Sequence, residues 1–167
     1  MIGIIQPKKT GKLEKRNLYK VGCIGRITSF NEVKDGRYLI VLSGICRYKI
    51  VDELTNDRLY RKCKISFDNY INDLKENKEE KINFSDLKFI FKDLKKLFKK
   101  QGYIINWKDL EKQTLDQTIN TLSMTSSFSL EEKQVLLETN TLVERKKKLE
   151  EILKTYTSDS FENNTIQ

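Results

Sequence analysis

Residues 22–50 read GCIGRITSFNEVKDGRYLIVLSGICRYKI, and this stretch decides the fold. Asp35-Gly36 sits between two β-rich runs. That pair predicts a tight hairpin, because the turn needs positive φ and glycine supplies it without steric cost. Residues 38–42 are almost wholly apolar or β-branched, the composition of a strand buried on both faces. From Cys46 the pattern alternates. Cys46, Tyr48 and Ile50 share one face, and Arg47 and Lys49 the other, as in a half-buried strand. Gly44 between the two runs predicts a bulge or a barrel corner. Residues 59–67 alternate again, with Leu59, Cys63, Ile65 and Phe67 opposite Tyr60, Lys62 and Lys64. Arg61 falls on the apolar side. Gly22 and Gly25 read as structural, since no phosphate-loop context surrounds them.

Composition shifts after Phe67. Residues 68–81, DNYINDLKENKEEK, are polar and read as a connection between lobes. From Phe84 the apolar period becomes helical: Phe84, Leu87, Phe91, Leu94 and Phe98 recur three and four apart, flanked by Ile90 and Leu97. Asn83 or Ser85 can cap the start, and Gly102 suits the position just past the end. Lysines at 92, 95, 96, 99 and 100 occupy the other face, several of them near the negative end of the helix dipole. A second helix is expected over 108–124, with Leu110, Leu115, Ile119 and Leu122 on its apolar stripe. Ser129-Leu130-Glu131-Glu132 has the spacing of a capping box, and residues 141–144 repeat the device. They predict helices over 130–138 and 142–156, with a break near Thr139-Asn140. Residues 157–167 lack periodicity and read as a disordered tail.

Composition narrows the chemistry. The chain has 167 residues, a formal net charge of +8 and no histidine. Without histidine there is no Ser-His-Asp or Cys-His site and no His-dependent zinc site. No P-loop sequence occurs. A Ser-Lys dyad has no local motif behind it. Glu131-Glu132 and Glu150-Glu151 lie in charged helical patterns and read as solvated faces. No catalytic residue, cofactor or metal is expected. Cys23, Cys46 and Cys63 form no C-x-x-C pair and lie in strand-like segments, which fits free thiols in a reducing cytoplasm. No apolar run approaches the roughly 18–20 residues a membrane helix needs. No secretory signal opens the chain.

Two blocks carry a family resemblance. The first is the order G-x-I, DGR, G-x-x-R-Y-x-I across residues 22–50. The second is SLEEKQVLLETNTLVERKKKLEEIL, residues 129–153, with Glu132, Lys133, Gln134, Leu136, Leu137 and Glu138 ahead of Leu142, Glu144 and Arg145. Together, in this order, they resemble the N-terminal substrate-binding domain of the Lon proteases, over about residues 2–153. The resemblance implies an α+β fold: a β-rich PUA-like pseudo-barrel lobe over 1–67, then a helical lobe over 82–156. It implies a unit that recruits unfolded or tagged polypeptides and carries no ATPase or protease region of its own. Small bacterial proteins made of this unit alone belong to the same pattern. The family's opening strands and a short helix with an F-E-x-R-Y-like motif have no match here. The resemblance therefore implies a lobe incomplete at its N-terminus, with an open sheet edge able to pair with another chain.

Two function classes follow. The first is a non-catalytic polypeptide-binding module linked to protein quality control, with flexible polypeptides, and a protease or chaperone, as partners. Its candidate surface is Tyr103, Ile104, Ile105 and Trp107, at the joint between helices; set against this, and favoured over it, is the reading of the same residues as core locking the lobes together. The second class is RNA binding, since PUA-like folds include RNA binders and the net charge is positive. Against it, lysines are spread along helix faces, many beside Glu or Asp, and no RNP-like aromatic motif appears. The only dense basic run is Arg145-Lys146-Lys147-Lys148. Weak, non-specific nucleic-acid binding is the most this pattern supports.

Overall fold

The computed structural model describes residues 1–9, 17–75, 87–102, 106–110 and 112–162. The chain divides into two compact units, Met1–Lys78 and Glu79–Gln167. The first carries an antiparallel sheet and the second carries helices, so the class is α+β, as expected.

The sheet unit contains strands β1 (Ile2–Ile4), β2 (Val21–Glu32), β3 (Tyr38–Leu54) and β4 (Lys62–Ser66) in the order β1-β2-β3-β4. Every neighbouring pair is antiparallel. The β2–β3 turn forms where Asp35-Gly36 predicts it. Gly36 has φ +79°, the Val33 N–H donates to the Arg37 carbonyl at 2.9 Å, and Asp35 holds the Arg37 backbone N–H at 3.1 Å. The register slips beside Gly44, between the pairs Ile24–Cys46 and Gly25–Gly44, which is the expected bulge. Close packing also explains Gly22. A Cβ there would run into the Ile4 carbonyl and stand 2.8 Å from the Tyr48 hydroxyl. Tyr48 is buried and its hydroxyl donates to the Ile4 carbonyl at 3.3 Å, holding β1 against the sheet.

Four expectations for this unit are corrected. The apolar residues 38–41 are not buried on either face; all four are exposed. Composition registers that a strand suits burial, not that anything covers it. Arg47, expected on a solvent face, is buried. A 3-10 helix, Asp68–Leu74, lies against β3 and supplies its partners. That helix occupies the stretch read as a polar connection: Tyr70 is buried under the Arg47 guanidinium, whose carbon lies 4.4 Å from the ring centroid. Finally, β4 begins at Lys62 rather than 59, because residues 55–61 form an exposed loop. There the Asn56 side chain bonds the Tyr60 carbonyl and Arg61 pairs with Glu53.

The helical unit contains α1 (Lys88–Gln101), α2 (Trp107–Leu110), α3 (Leu115–Thr125), α4 (Leu130–Glu138) and α5 (Leu142–Glu162). Leu87, Ile90, Leu94, Leu97 and Phe98 bury the expected face of α1 against Ile119, Leu122, Leu149 and Leu153. Gly102 ends α1 in the left-handed conformation, φ +73°, where other residues are strained. The proposed caps Asn83 and Ser85, and Phe84, lie outside the described residues. The single helix expected over 108–124 is broken. Thr114 and Gln117 form a capping box that starts α3 afresh, satisfying free backbone donors at its N-terminus. The Ser129–Glu132 capping box starts α4, as expected. Helix α5 continues to Glu162, past the expected end at 156 and into the stretch read as a tail. Thr157 continues it, and its hydroxyl donates to the Leu153 carbonyl at 3.1 Å.

Candidate functional site

Of the residues expected to form a binding surface, Tyr103, Ile104 and Ile105 lie outside the described residues. Trp107 opens α2 and is half-buried against the helical core. Its ring meets Phe91 edge-on at 5.9 Å and Phe98 at 6.1 Å between centroids. The Lys95 ammonium stands 5.1 Å from the ring centroid, a cation–π contact. Lys88, Phe91, Lys92 and Lys95 line an open cleft of 390 Å³ beside it.

A second apolar surface lies on the hairpin of β2 and β3. Beyond Gly25 the strand β2 has no β1 partner, and β4 meets β3 only from Lys49 onward. Among the described residues the rest is a two-stranded arm. On it Phe30 is 58% exposed, Tyr38 55%, Leu39 59%, Ile40 40% and Val41 51%. Phe30 pairs with Ile40 across the arm and stacks on Tyr38, 4.9 Å between ring centroids. Phe30, Tyr38 and Ile40 therefore share one face, and Leu39 and Val41 the other. Monomeric proteins seldom expose contiguous apolar surface of this kind unless something binds there. The signal was present as the apolar run 38–42, but a run of that composition is also what a covered strand shows.

Burial pushes the Cys23 and Cys63 thiols above their ordinary value, so both are held protonated at neutral pH. None of the three cysteines forms a disulfide. Burial, and then the charges of Cys63 and Cys23, raise the Tyr48 phenol. Among the described residues no group of three or more His, Cys, Asp or Glu is placed to hold a metal ion. No described helix is long and apolar enough to cross a membrane. The basic run at 145–148 is largely engaged within its own unit. Arg145 donates to the Leu136 carbonyl at 3.0 Å, closing the end of α4, while Lys146 pairs with Glu150 and Lys148 with Glu151.

Comparison with known proteins gives one family. The model of the ATP-dependent protease La (LON) substrate-binding domain matches residues 2–155. No curated protein matches the chain.

Proposed function

Because the chain belongs to the family of the ATP-dependent protease La (LON) substrate-binding domain, we propose that it is a non-catalytic polypeptide-binding module serving protein quality control. The observation that carries the reading is the family match across 2–155, joined to an apolar surface left open on the sheet unit. A module of this kind works by offering apolar surface to chains that have lost their own burial. The driving force is the roughly 25 cal/mol gained per Å² of apolar area removed from water.

In this reading Trp107, among the expected binding residues, belongs to the helical core. The Trp107 ring is already engaged by Phe91 and Phe98, which leaves only part of it open to a docked polypeptide. The partners are flexible polypeptide segments, delivered to or taken from a protease or chaperone.

The test is binding of the full chain to a permanently unfolded probe, reduced and carboxymethylated α-lactalbumin, beside the native form of the same protein. Selective binding of the unfolded form supports the module, whether or not nuclease is present. Equal binding of both forms, or of neither, overturns it.

A further inference from the structure

We propose that the outer edge of β3, from Tyr38 to Gly44, takes up an extended apolar polypeptide segment with carboxylates at its ends, as an added strand. The inference rests on the polypeptide-binding reading above and names the place and geometry of that binding.

The edge is open in a particular way. Over Lys49–Leu54 it is paired with β4. At Arg47 the backbone N–H donates to the Asp73 carboxylate at 3.1 Å, so the 3-10 helix satisfies the edge there. Beyond that point, among the described residues, no backbone group pairs with the outer side of residues 38–44. An unpaired strand edge is a template for another chain, and proteins ordinarily blunt it with charge, proline or a bulge. The neighbouring strand is blunted: β2 carries Arg26 and Glu32 and slips register between Ile27 and Ser29. Residues 38–44, YLIVLSG, have no charge and no proline, and their own register against β2 skips none of them.

A strand added to this edge gains backbone hydrogen bonds and, on both faces, apolar neighbours from Tyr38, Leu39, Ile40 and Val41. It would therefore be apolar at successive positions rather than alternate ones. Charge selects its ends. Lys34 beyond the tip and Lys49 at the base are exposed, and no ion pair to either is seen among the described residues. Arg37 and Arg47 are already matched by Asp35 and Asp73. The stretch thus presents an uncharged middle between two cations, which suits a guest with carboxylate ends.

The layout of the edge also disfavours a second copy of this chain. A closed pair needs a two-fold axis, hence antiparallel pairing of like edges. Centred on Val41, that pairing sets residues 33–36 of one copy against residues 46–49 of the other, where Asp73 and β4 already hold the edge.

The experiment uses fluorescence anisotropy with the full chain and three labelled peptides. The first has a seven-residue core of Val, Ile and Thr with Asp at both ends, the second has the same core with Lys ends, and the third repeats the Asp-ended peptide with alternate backbone nitrogens methylated. The proposal expects binding of the first, with affinity about tenfold weaker for the second and for the third. Leu39→Lys and Ile40→Lys should each weaken the first by about tenfold. Phe89→Ser, at an exposed site on α1, should not, and circular dichroism of each variant shows whether it has folded. Equal binding of the methylated peptide would make the contact apolar adhesion and overturn strand addition. Unchanged affinity in both arm variants, with the unfolded probe still bound, overturns this site while leaving the module intact. A chain that sediments as a dimer and becomes a monomer on Ile40→Lys puts a second copy on the edge and overturns the proposal. Binding of neither peptide nor unfolded probe overturns both readings.

Discussion

Asp73 grips Arg47 from three directions: it accepts from the Arg47 Nε at 2.8 Å, from Nη2 at 2.8 Å and from the backbone N–H at 3.1 Å. Both side chains are largely withdrawn from solvent. The carboxylate thereby does two things, neutralising a buried guanidinium and closing the edge of β3 where β4 stops. Removing it would leave the guanidinium buried without its charge partner. Asp73→Ala should cost about 3 kcal/mol of unfolding free energy, the usual penalty for breaking a buried pair. Urea denaturation followed by far-ultraviolet circular dichroism measures this. Asp73→Asn keeps the shape and some hydrogen bonding, and should cost less.

Gly22 predicts a second loss of stability. The space where its Cβ would go is already held by the Ile4 carbonyl and the Tyr48 hydroxyl. Gly22→Ala should push β1 off the sheet and destabilise the sheet unit by about 1–3 kcal/mol. Faster amide exchange at Ile2–Ile4 in the variant is the expected signature. Unchanged exchange there would mean the strand has somewhere to go.

Tyr156 gives a pH dependence. Its hydroxyl donates to the Glu132 carboxylate at 2.7 Å, and burial followed by that bond raises the phenol's pKa. A phenol held protonated in the folded state contributes stability that is complete below its unfolded value, near pH 10. That contribution fades as pH rises through the higher folded value. The chain should lose stability above about pH 10 more steeply than Tyr156→Phe, which has no proton to lose. Melting temperatures of the two proteins between neutral and alkaline pH provide the comparison.

Nucleic-acid binding should be weak and indifferent to sequence. Lysines spread along α1 release counterions without reading base edges, so any affinity should fall steeply with salt. Filter binding with two unrelated RNAs, at low salt and at about 0.2 M, should show similar affinities that collapse together. One RNA held tightly at the higher salt would contradict this.

Trp107 is the chain's single tryptophan. Set among Phe91, Phe98 and Lys95, it should report unfolding of the helical unit by a red shift in emission. In the reading above, addition of the Asp-ended peptide leaves its emission unchanged, because the guest binds on the sheet unit. A shift on peptide addition would return the joint residues to the binding surface.

How far the sequence speaks depends on the range over which each feature is determined. The β2–β3 turn needs only Asp35-Gly36, and the start of α4 needs only Ser129 and Glu132, so both are legible from a few adjacent residues. The break before α3 has the same kind of signal in Thr114 and Gln117, which the apolar stripe running through Leu110 and Leu115 outweighs on paper. Arg47 is different. Its burial depends on Asp73, 26 residues away, and nothing in a local alternation pattern marks a cation that has a distant carboxylate. Residues 38–41 fail for another reason. Their composition describes what the strand would accept as a neighbour, and exposure depends on which neighbours the fold supplies. Trp107, among the candidate binding residues, takes its partners Phe91 and Phe98 from α1, a helix that the apolar period outlines.

The order β1-β2-β3-β4 also bears on how the chain acquires its structure. Each strand pairs with the one made just before it, so the sheet can zip up as the polypeptide leaves the ribosome. The helical unit has no such option. Its first helix packs against its last, α1 on α5, and the face carrying Leu87, Ile90 and Leu94 must wait for Leu149 and Leu153. During synthesis the sheet unit can therefore be complete while the apolar face of α1 still lacks its cover from α5, and that interval leaves the nascent chain open to aggregation.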